Sequence, residues 1–364
     1  MKKKNQPCGT QTQSTPKTTL QSGDLVCLGI DQHADCLVVV EQINACVPRP
    51  ARKFPAQSQA FYRWVEERQK AGARVVACYE AGPCGYWLQR VLSARGVECL
   101  VVAPKWWAEN GKTKTDSRDA RVLCERLFQW VSGKTNVFTL VRVPSEEEER
   151  FRNLSRNRER LLKERKRLAQ AGRGIALGQQ MRLKGQWWKG KRWTELANCL
   201  EELLGPIREV LLSLETQIDK LTTKLESHAA AREARPAGLG KLTDAVLSAE
   251  VGDYRRFDNR RGPGAYFGLV PGEDSSGKRK RSLPITKTGS GTVRRYLVEA
   301  AWRLIRFQPR WWAWAKCQES YEGAPKWRRN QIAVGLARQL IVDLWRLRTG
   351  RTTLENLGWE AAPD

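Results

Sequence analysis

Four acidic residues stand where strand ends and a helix start are predicted, and this pattern constrains the fold more than any other. Asp31 directly follows the apolar run LVCLGI, and Glu80 directly follows RVVACY. Short runs of this kind predict buried β-strands. Asp116 and Asp119 lie three residues apart in a segment typical of a first helical turn, so they share one helix face. Carboxylates so placed are the ligands that two divalent ions need for phosphoryl transfer.

The charge of the chain indicates a polyanionic partner. Lys and Arg total 64 against 39 Asp and Glu in 364 residues, which gives a net charge of +25 and a pI of about 10.0. Such an excess is typical of proteins that displace counterions from phosphates. A membrane surface is the competing interpretation, but no apolar run approaches the roughly 20 residues that a membrane span needs.

The ten cysteines predict neither disulfides nor a zinc site, because the chain has no CxxC motif and only two histidines. Buried free thiols in a reducing cytosol are the better prediction, and most of them fall in apolar or amphipathic stretches. Three tryptophan pairs begin at Trp106, Trp187 and Trp311. Paired indoles beside Lys and Arg either stack on nucleic-acid bases or fill a core.

The N-terminal part predicts an α/β domain with a mixed sheet, because a β-hairpin is followed by alternating helices and strands. The predicted strands cover 25–30, 36–40, 75–79 and 98–103, and the predicted helices cover 57–71, 86–95 and 116–130. This order places Asp31 at the end of the first strand and Glu80 at the end of a later one. The arrangement is that of a ribonuclease-H-like or RuvC-like sheet.

The middle of the chain predicts long helices. A highly charged helix covers 146–171, and the Gly-rich segment 172–191 is expected to break the helices. The next helix has a near-heptad apolar pattern, at Leu196, Leu200, Leu203, Ile207, Leu211, Leu214, Ile218, Leu221 and Leu225. Pro206 is expected to kink this helix or to start a new one. A helical hairpin, an intermolecular coiled coil and a core helix of the monomer all fit the pattern.

A turn-rich loop is predicted over 268–281, with Ser275 and Ser276 next to a run of four positive charges. A serine there could act as a nucleophile on a phosphodiester, since nearby cations would stabilise its alkoxide. The alternative is an ordinary turn. The segment that follows, 285–297, is predicted to cap a helix that continues to about Ile305.

Several motifs resemble those of the insertion-sequence-110 family of DEDD transposases, which are relatives of the Piv-type DNA invertases. The N-terminal motifs are GIDQH, YEA and KTDSRDA, and the C-terminal motifs are YFGLVP, SSG, ITKTG and RRYL. They occur in order, with the coiled-coil-like region between them. The resemblance covers most of residues 24–308.

This resemblance implies a RuvC-like domain in which Asp31, Glu80, Asp116 and Asp119 bind Mg²⁺ or Mn²⁺. It also implies a C-terminal transposase domain whose loop serine becomes covalently linked to DNA. The family pattern puts that serine directly before the glycine, which makes Ser276 the nucleophile and Ser275 the fallback. The acids and the serine would act on one phosphate, either within one subunit or with the serine donated by a partner subunit.

The resemblance further implies donor and target DNA, a structured guide RNA encoded by the element, and a homo-oligomer, either dimer or tetramer. It implies a prokaryotic protein that acts in the cytoplasm at the nucleoid. We predict nucleic-acid contacts at the basic residues Arg156, Lys163, Arg167, Lys278, Arg279, Lys280, Arg281, Lys287, Arg294 and Arg295.

The chain departs from the family pattern at Ser290, where relatives commonly have asparagine, and in the unusually Trp- and Lys-rich segment 172–193. His33 matches a frequent family residue near the first Asp, and it is expected to form a structural hydrogen bond or to have a protonation role.

The predicted organisation is a RuvC-like or ribonuclease-H-like α/β domain, a helical coiled-coil region, and a mostly α transposase domain. In order along the chain, the predicted segments are a disordered tail at 1–22, the catalytic domain at 23–144, the coiled-coil region at 145–228, the transposase domain at 229–350 and a tail at 351–364. Two other classes of function remain open: a RuvC-like junction nuclease that releases free ends, and a nucleic-acid-binding protein without catalysis.

Overall fold

The computed structural model describes residues 19–104, 115–230, 235–276 and 279–362. Contacts within the chain divide it into two compact units, with the boundary between Val143 and Pro144. The first is built on a sheet, and the second is mostly helical.

Five strands form the sheet of the N-terminal unit: β1 (Leu25–Gln32), β2 (Cys36–Ile43), β3 (Arg52–Pro55), β4 (Arg74–Glu80) and β5 (Glu98–Val102). Their order is β3-β2-β1-β4-β5. β1, β4 and β5 are parallel, whereas β2 is antiparallel to both β1 and β3. The predicted mixed sheet is thus confirmed, and it is compatible with a RuvC-like domain.

Helices cover both faces of this sheet. Alternate residues of β1 enter different cores, because side chains point to opposite faces of a strand. Val26 and Leu28 pack with α1 (Gln59–Lys70) and α2 (Trp87–Ala94), whereas Cys27 packs with α3 (Asp116–Val131). The first core contains Phe61, Val65, Leu88 and Leu92, and the second contains Ala120, Leu123, Cys124 and Leu127.

The C-terminal unit begins with a helical hairpin of α4 (Glu146–Gly178) and α5 (Gly190–Ala230). Ser145 and Glu148 form a capping box at the start of α4, which satisfies two free backbone N–H groups. The helices break within the predicted segment 172–191, but the break is shorter than predicted, because α4 continues to Gly178 and α5 begins at Gly190. Gly172 lies inside α4, and a Cβ there would be 2.2 Å from the ring of Trp187. The Trp187 ring therefore requires a glycine at position 172 of the helix, although the glycines of this segment suggested a loop.

The buried stripe of α5 differs from the predicted one at a single position. Leu204 is fully buried, whereas Leu203 is 47% exposed. Leu196, Leu200 and Leu204 follow in steps of four, so they lie along one side of the helix. Pro206 lies within α5, which runs on through it without a new start. The intermolecular coiled coil remains a prediction.

The rest of the unit contains α6 (Lys241–Val251), α7 (Arg261–Tyr266), β6 (Pro271–Ser276), β7 (Arg279–Ile285), α8 (Gly291–Phe307), α9 (Trp312–Ala315), α10 (Gln318–Tyr321) and α11 (Lys326–Arg348). The predicted helix up to about Ile305 is confirmed as α8, and the Ser290 hydroxyl accepts a hydrogen bond from Val293 N at its start. The predicted loop at 268–281 is wrong, because most of it forms the antiparallel pair β6 and β7. Its polar sequence lacks the apolar alternation by which such strands are recognised.

The nine cysteines that the structure describes are all free, and Cys27, Cys78, Cys99 and Cys124 are buried. Trp187 and Trp188 belong to the core between α4 and α5. Core filling is thus the observed role of this pair, whereas Trp106 and Trp107 lie outside the described residues. Within the described ranges, none of the helices combines the length and the apolarity that a membrane crossing requires.

Candidate active site

Three side chains converge where β1 ends and α3 begins. His33 Nε2 lies 3.2 Å from Asp31 Oδ2 and 3.5 Å from Asp116 Oδ2. Ligand atoms of these three residues all lie within 4.8 Å of one another. Asp119 lies three residues after Asp116, also in the first turn of α3. Two of the four predicted acids thus form a cluster with a histidine.

The pairing of the parallel strands β1 and β4 determines where Glu80 lies relative to Asp31. Ile30 of β1 pairs with Tyr79 of β4, so Asp31 and Glu80 are the next residues on two neighbouring strands. The carboxyl ends of parallel strands meet at one edge of the sheet, which places both backbones at the same edge. Glu80 is not part of the three-residue cluster of ligand atoms.

A glycine lets α3 approach the sheet closely enough to form this cluster. A Cβ on Gly29 would lie 2.2 Å from Ala120 O and 2.3 Å from Cys124 N, distances that no side chain can occupy. Cys124 Sγ donates to Cys27 O over 3.2 Å, and Cys78 Sγ donates to Leu123 O over 3.5 Å. The helix that carries Asp116 is therefore in backbone contact with the strand that carries Asp31.

The electrostatics of the cluster favour a bound cation. Burial raises the pKa of Asp31; the charge of His33 and its hydrogen bond oppose this rise, and the charges of Asp116 and Asp119 add to it. Carboxylates that repel one another in this way are stabilised by a positive charge between them.

A divalent ion fits the donors that are present. Carboxylate oxygens suit Mg²⁺ and Mn²⁺, and an imidazole nitrogen is a further donor for Mn²⁺. Asp31, Asp116 and His33 would hold the ion, with Glu80 and Asp119 close by in the fold. Sequence reasoning missed His33 as a ligand; its position two residues after Asp31, on the turn between β1 and β2, was the available signal.

The predicted nucleophile lies on a hairpin instead of in a loop. Ser275 and Ser276 are the last residues of β6, and their Cα partners on β7 are Lys280 and Arg279. The structure describes the backbone of these serines but not their side chains. Lys278 lies outside the described residues, as do the side chains of Arg279 and Lys280, whereas Arg281 is exposed.

The base of the hairpin is formed by two motifs whose backbones touch. A Cβ on Gly268 would lie 2.3 Å from Thr288 N, and a Cβ on Gly289 would lie 2.2 Å from Tyr266 O. Both glycines have positive φ, at 64° and 69°, which favours glycine over any other residue. The motifs YFGLVP and ITKTG are thus explained by the backbone geometry that carries β6 and β7.

Arg294 joins these two motifs. Its Nη1 donates to Phe267 O over 3.1 Å and also to the carbonyl of Thr288. A guanidinium used in this way fixes the base of the hairpin, which is a different role from the predicted nucleic-acid contact.

Three more of the predicted contact residues form ion pairs within the C-terminal unit. Arg156 donates to both carboxylate oxygens of Glu250, at 2.8 and 3.1 Å, and Arg295 donates to Glu159 Oε2 over 2.8 Å. Arg167 pairs with Glu164 on the same helix. Lys163 and Lys287 are exposed. Contact of these basic residues with nucleic acid remains a prediction.

Comparison with known proteins agrees with the motifs. A family model named for the DEDD domain of IS110 elements and described as "Transposase" matches residues 28–177. A second, described as "Transposase IS116/IS110/IS902 family", matches residues 235–315. The first match contains the acid cluster, and the second contains β6, β7 and all of α8.

Curated relatives are similar along most of the chain. The putative transposase y4rJ of Sinorhizobium fredii is 29% identical over 333 residues, which cover 80% of this chain and 83% of the relative. The putative transposase y4qE of the same organism is 33% identical, over 65% of this chain and 60% of its own length. The transposase for insertion sequence element IS1111A of Coxiella burnetii is 25% identical, over 76% of this chain and 79% of the relative.

A mixed α/β unit with acids at one sheet edge, followed by a helical unit that matches a transposase domain, defines a DNA-processing enzyme of the DEDD type. The chain belongs to the IS110 family of insertion-sequence transposases. Membership implies a DNA substrate and an activity that cleaves and rejoins it.

Proposed function

We propose that this transposase exchanges DNA strands through a covalent phosphoserine intermediate, with divalent metal held by Asp31, Glu80, Asp116 and Asp119. The observation that carries the proposal is the convergence of Asp31, His33 and Asp116 within 4.8 Å at the end of β1. Acids at two parallel strand ends and on one helix turn are what metal-assisted phosphoryl transfer requires.

Ser276 is the proposed nucleophile. Its Oγ forms a bond to the scissile phosphorus while the bond from phosphorus to the 3′ oxygen breaks. The serine loses its proton, and the released 3′ oxygen gains one. A bound divalent ion would stabilise the negative charge on the oxygens of the phosphate during this exchange. The 3′-hydroxyl of the exchanged strand then attacks the phosphoserine and restores the serine, so rejoining needs no ATP.

The chain's own residues have distinct parts in this scheme. Asp31 and Asp116 would hold the cation together with the nearby Glu80 and Asp119, and His33 Nε2, 3.2 Å from Asp31 Oδ2, would be a further ligand. Gly268, Gly289 and Arg294 hold the base of the hairpin that carries Ser276. Arg281 is exposed on β7. It follows three other basic residues in the sequence, and together their charges would attract the phosphate backbone of the nucleic acid.

The test is covalent capture. Purified protein is incubated with labelled element-end DNA, Mg²⁺ and co-expressed RNA, and the products are separated by denaturing electrophoresis. A protease-sensitive adduct that Ser276→Ala abolishes supports the proposal. Ser275→Ala distinguishes the neighbouring hydroxyl, and Ser282→Ala, on the facing strand, is the matched control that retains the adduct. An adduct that persists in both Ser275→Ala and Ser276→Ala would refute the serine mechanism.

A metal-dependent nuclease is the second candidate, because the acid cluster is contained entirely in the N-terminal unit and needs no residue from β6. This enzyme would release free ends without an adduct, and Ser276→Ala would still cut. Asp116→Asn abolishes cleavage under both candidates, so only the serine variants distinguish between them.

We also propose an RNA guide and a homo-oligomer as partners. Leu203 and Val210 support the oligomer, since they are 47% and 48% exposed and lie two turns apart on one face of α5. Light scattering of Leu203→Glu and Val210→Glu tests this face, and an unchanged mass in both variants would argue against it. Sequencing of RNA that co-purifies with the protein tests the guide.

Mixed subunits test how the acids and the serine cooperate. Asp31→Ala and Ser276→Ala proteins are combined before DNA is added. If the serine acts in trans, the mixture forms an adduct although neither protein does so alone. If it acts in cis, the mixture stays inactive.

A further inference from the structure

A cavity of about 710 Å³ lies within the C-terminal unit, between α7, the start of β6, α9 and α11. Pockets that hold small ligands typically have volumes of roughly 300–1,000 Å³. Five of the residues that line it are arginines: Arg260, Arg261, Arg338, Arg346 and Arg351. They come from two separate parts of the chain, the start of α7 and the second half of α11 with the residues directly after it.

The charge of the cavity is almost uncompensated. Its described lining contains no acidic residue. Among the residues placed by the structure, no carboxylate is paired with Arg260, Arg261 or Arg338, whereas Arg346 lies 3.6 Å from Oδ1 of the buried Asp343. A concave surface of one sign concentrates the field, so this cavity strongly attracts an anion.

Aromatic rings make the cavity more than an anion site. Trp345 and Trp312 contribute to the lining, and Trp345 is only 4% exposed. The guanidinium of Arg351 lies over the Trp345 ring, 4.2 Å from its centroid. A flat ring beside arginines is the arrangement on which nucleic-acid bases stack.

One of the rings that line the cavity also has an unsatisfied donor. The indole N–H of Trp345 is buried and has no hydrogen-bond partner among the described residues. A buried donor left without an acceptor is unfavourable, and a ligand that offers an acceptor would remove this cost. Gly264 helps to keep the site open, since a Cβ there would lie 3.1 Å from Arg338 Cγ.

We propose that this cavity binds one unpaired nucleotide of a single-stranded nucleic acid. The arginines would hold the phosphates on either side of it, and Trp345 and Trp312 would contact its base. A free phosphate would leave the rings and most of the volume unused, and an acidic peptide offers no flat base. The inference rests on the proposed function, because strand exchange on DNA with an RNA guide exposes unpaired nucleotides.

The first experiment measures affinity by fluorescence anisotropy with the full-length protein and a labelled ten-nucleotide probe. The probe is used as single-stranded DNA, as RNA of the same sequence, and as a blunt duplex. Arg338→Ala and Arg351→Ala are each expected to weaken single-strand binding about 10-fold, as loss of a base-stacking or phosphate contact does. The matched control is Arg328→Ala, which removes the same charge from an exposed position on the same helix, α11.

The second experiment maps the contact. Oligonucleotides that carry 4-thiouridine or 4-thiothymidine are photocrosslinked to the protein, and the modified peptides are identified by mass spectrometry. Crosslinks at Trp312 or Trp345 support the proposal, and the nucleic acid that crosslinks better identifies the source of the nucleotide. Circular dichroism confirms that each variant is folded, and Trp345→Phe, which removes only the N–H and part of the ring, is the conservative variant.

Three results would overturn the proposal: an equal loss of affinity in Arg328→Ala, a duplex that binds as tightly as the single strands, or crosslinks confined to other peptides. The outcome is separate from that of the serine mechanism. Asp116→Asn should bind the probes as the wild type does while forming no adduct. Normal binding by the cavity variants together with normal adduct formation would refute the cavity alone.

Discussion

Gly29 of β1 and Ala120 of α3 are in direct backbone contact, so that a Cβ added to Gly29 would lie 2.2 Å from the Ala120 carbonyl oxygen. Asp31 lies two residues after Gly29 on β1, and Asp116 lies about one turn before Ala120 on α3. The distance between the two acids is therefore controlled by the size of the residue at position 29.

Gly29→Ala is expected to push α3 away from the sheet. Overpacking of a well-packed core typically costs about 1–3 kcal/mol of the free energy of unfolding. Because Asp116 moves with the helix, DNA cleavage should fall by more than this stability loss explains. Urea unfolding and the adduct assay measure the two effects.

Gly174→Ala is the control for this variant. Gly174 lies inside α4, and nothing is within 4 Å of a Cβ added to it. Replacement there should stabilise the protein by about 0.5–1 kcal/mol, as alanine does within a helix, and should leave cleavage unchanged. Equal behaviour of the two variants would contradict the importance of the contact between β1 and α3.

The acids at the sheet edge could be predicted from the sequence because each follows a run that is apolar enough to identify its strand. Parallel strands end at one edge, so Asp31 and Glu80 are brought near each other by topology alone. β3 could not be predicted, since RKFP has neither length nor alternation and is stabilised only by pairing with β2. His33 escaped assignment as a ligand because its approach to Asp116 depends on how closely α3 packs.

The C-terminal unit was less predictable for a similar reason. β6 and β7 consist largely of charged and hydroxyl residues, so their pairing depends on the contact between Gly268 and Thr288. The arginines of the cavity are up to 91 positions apart in the sequence, from Arg260 to Arg351. No local pattern indicates that they meet, whereas the composition alone indicated a polyanionic partner.

Divalent metal should stabilise the wild-type protein and not its acid variants. Binding to the folded state alone adds about 2.7 kcal/mol when the ion is at 100 times its Kd. Asp31→Asn and Asp116→Asn should lose this gain, which is measured as the rise in Tm on adding Mg²⁺ or Mn²⁺. Asp35→Asn, at an exposed position on the turn after β1, is the control that keeps it.

The stability of Asp116→Asn in the absence of metal is a separate prediction. Asp116 raises the pKa of Asp31 by charge repulsion, so removing its charge relieves that repulsion. In the presence of EDTA, Asp116→Asn should therefore be at least as stable as the wild type. A loss of stability in EDTA would show that Asp116 has a structural role in place of metal binding.

Asp343 of α11 should make stability depend on pH. It is fully buried, and its carboxylate accepts hydrogen bonds from Trp311 Nε1 over 3.0 Å and from Gln339 Nε2 over 2.9 Å. Burial raises its pKa above the ordinary value of 3.8, although these hydrogen bonds and Arg346 oppose the rise. The folded state therefore binds the proton more tightly than the unfolded state.

It follows that the stability contributed by Asp343 is fully present below pH 3.8 and is lost as pH rises through the raised pKa. The wild type should be more stable relative to Asp343→Asn near pH 4 than at pH 7, as measured by urea unfolding across this range. A difference between the two proteins that grows with pH would contradict the raised pKa.

Tyr296 should be the most sensitive hydroxyl in the contact between α4 and α8. Its OH donates to Glu159 Oε1 over 2.7 Å and accepts from Arg158 Nη1 over 3.0 Å, and both partners are buried. Tyr296→Phe leaves a buried carboxylate and a buried guanidinium each short of a partner, which typically costs about 1–3 kcal/mol. Thermal and urea unfolding measure this loss.

The pair can be tested as a unit. Glu159→Ala combined with Tyr296→Phe should lose less stability than the sum of the single variants, with a coupling of about 0.5–3 kcal/mol, because each single variant removes the same hydrogen bond. Tyr321→Phe is the matched control, since its OH has no hydrogen-bond partner among the described residues, and its effect should stay within about 0.5 kcal/mol. Additive losses would mean that the hydrogen bond from Tyr296 contributes little and that Arg295 is the residue of α8 that holds Glu159. In that case α8, which carries Arg294 and supports the β6–β7 hairpin, would be anchored to α4 by a half-exposed ion pair instead of a buried network.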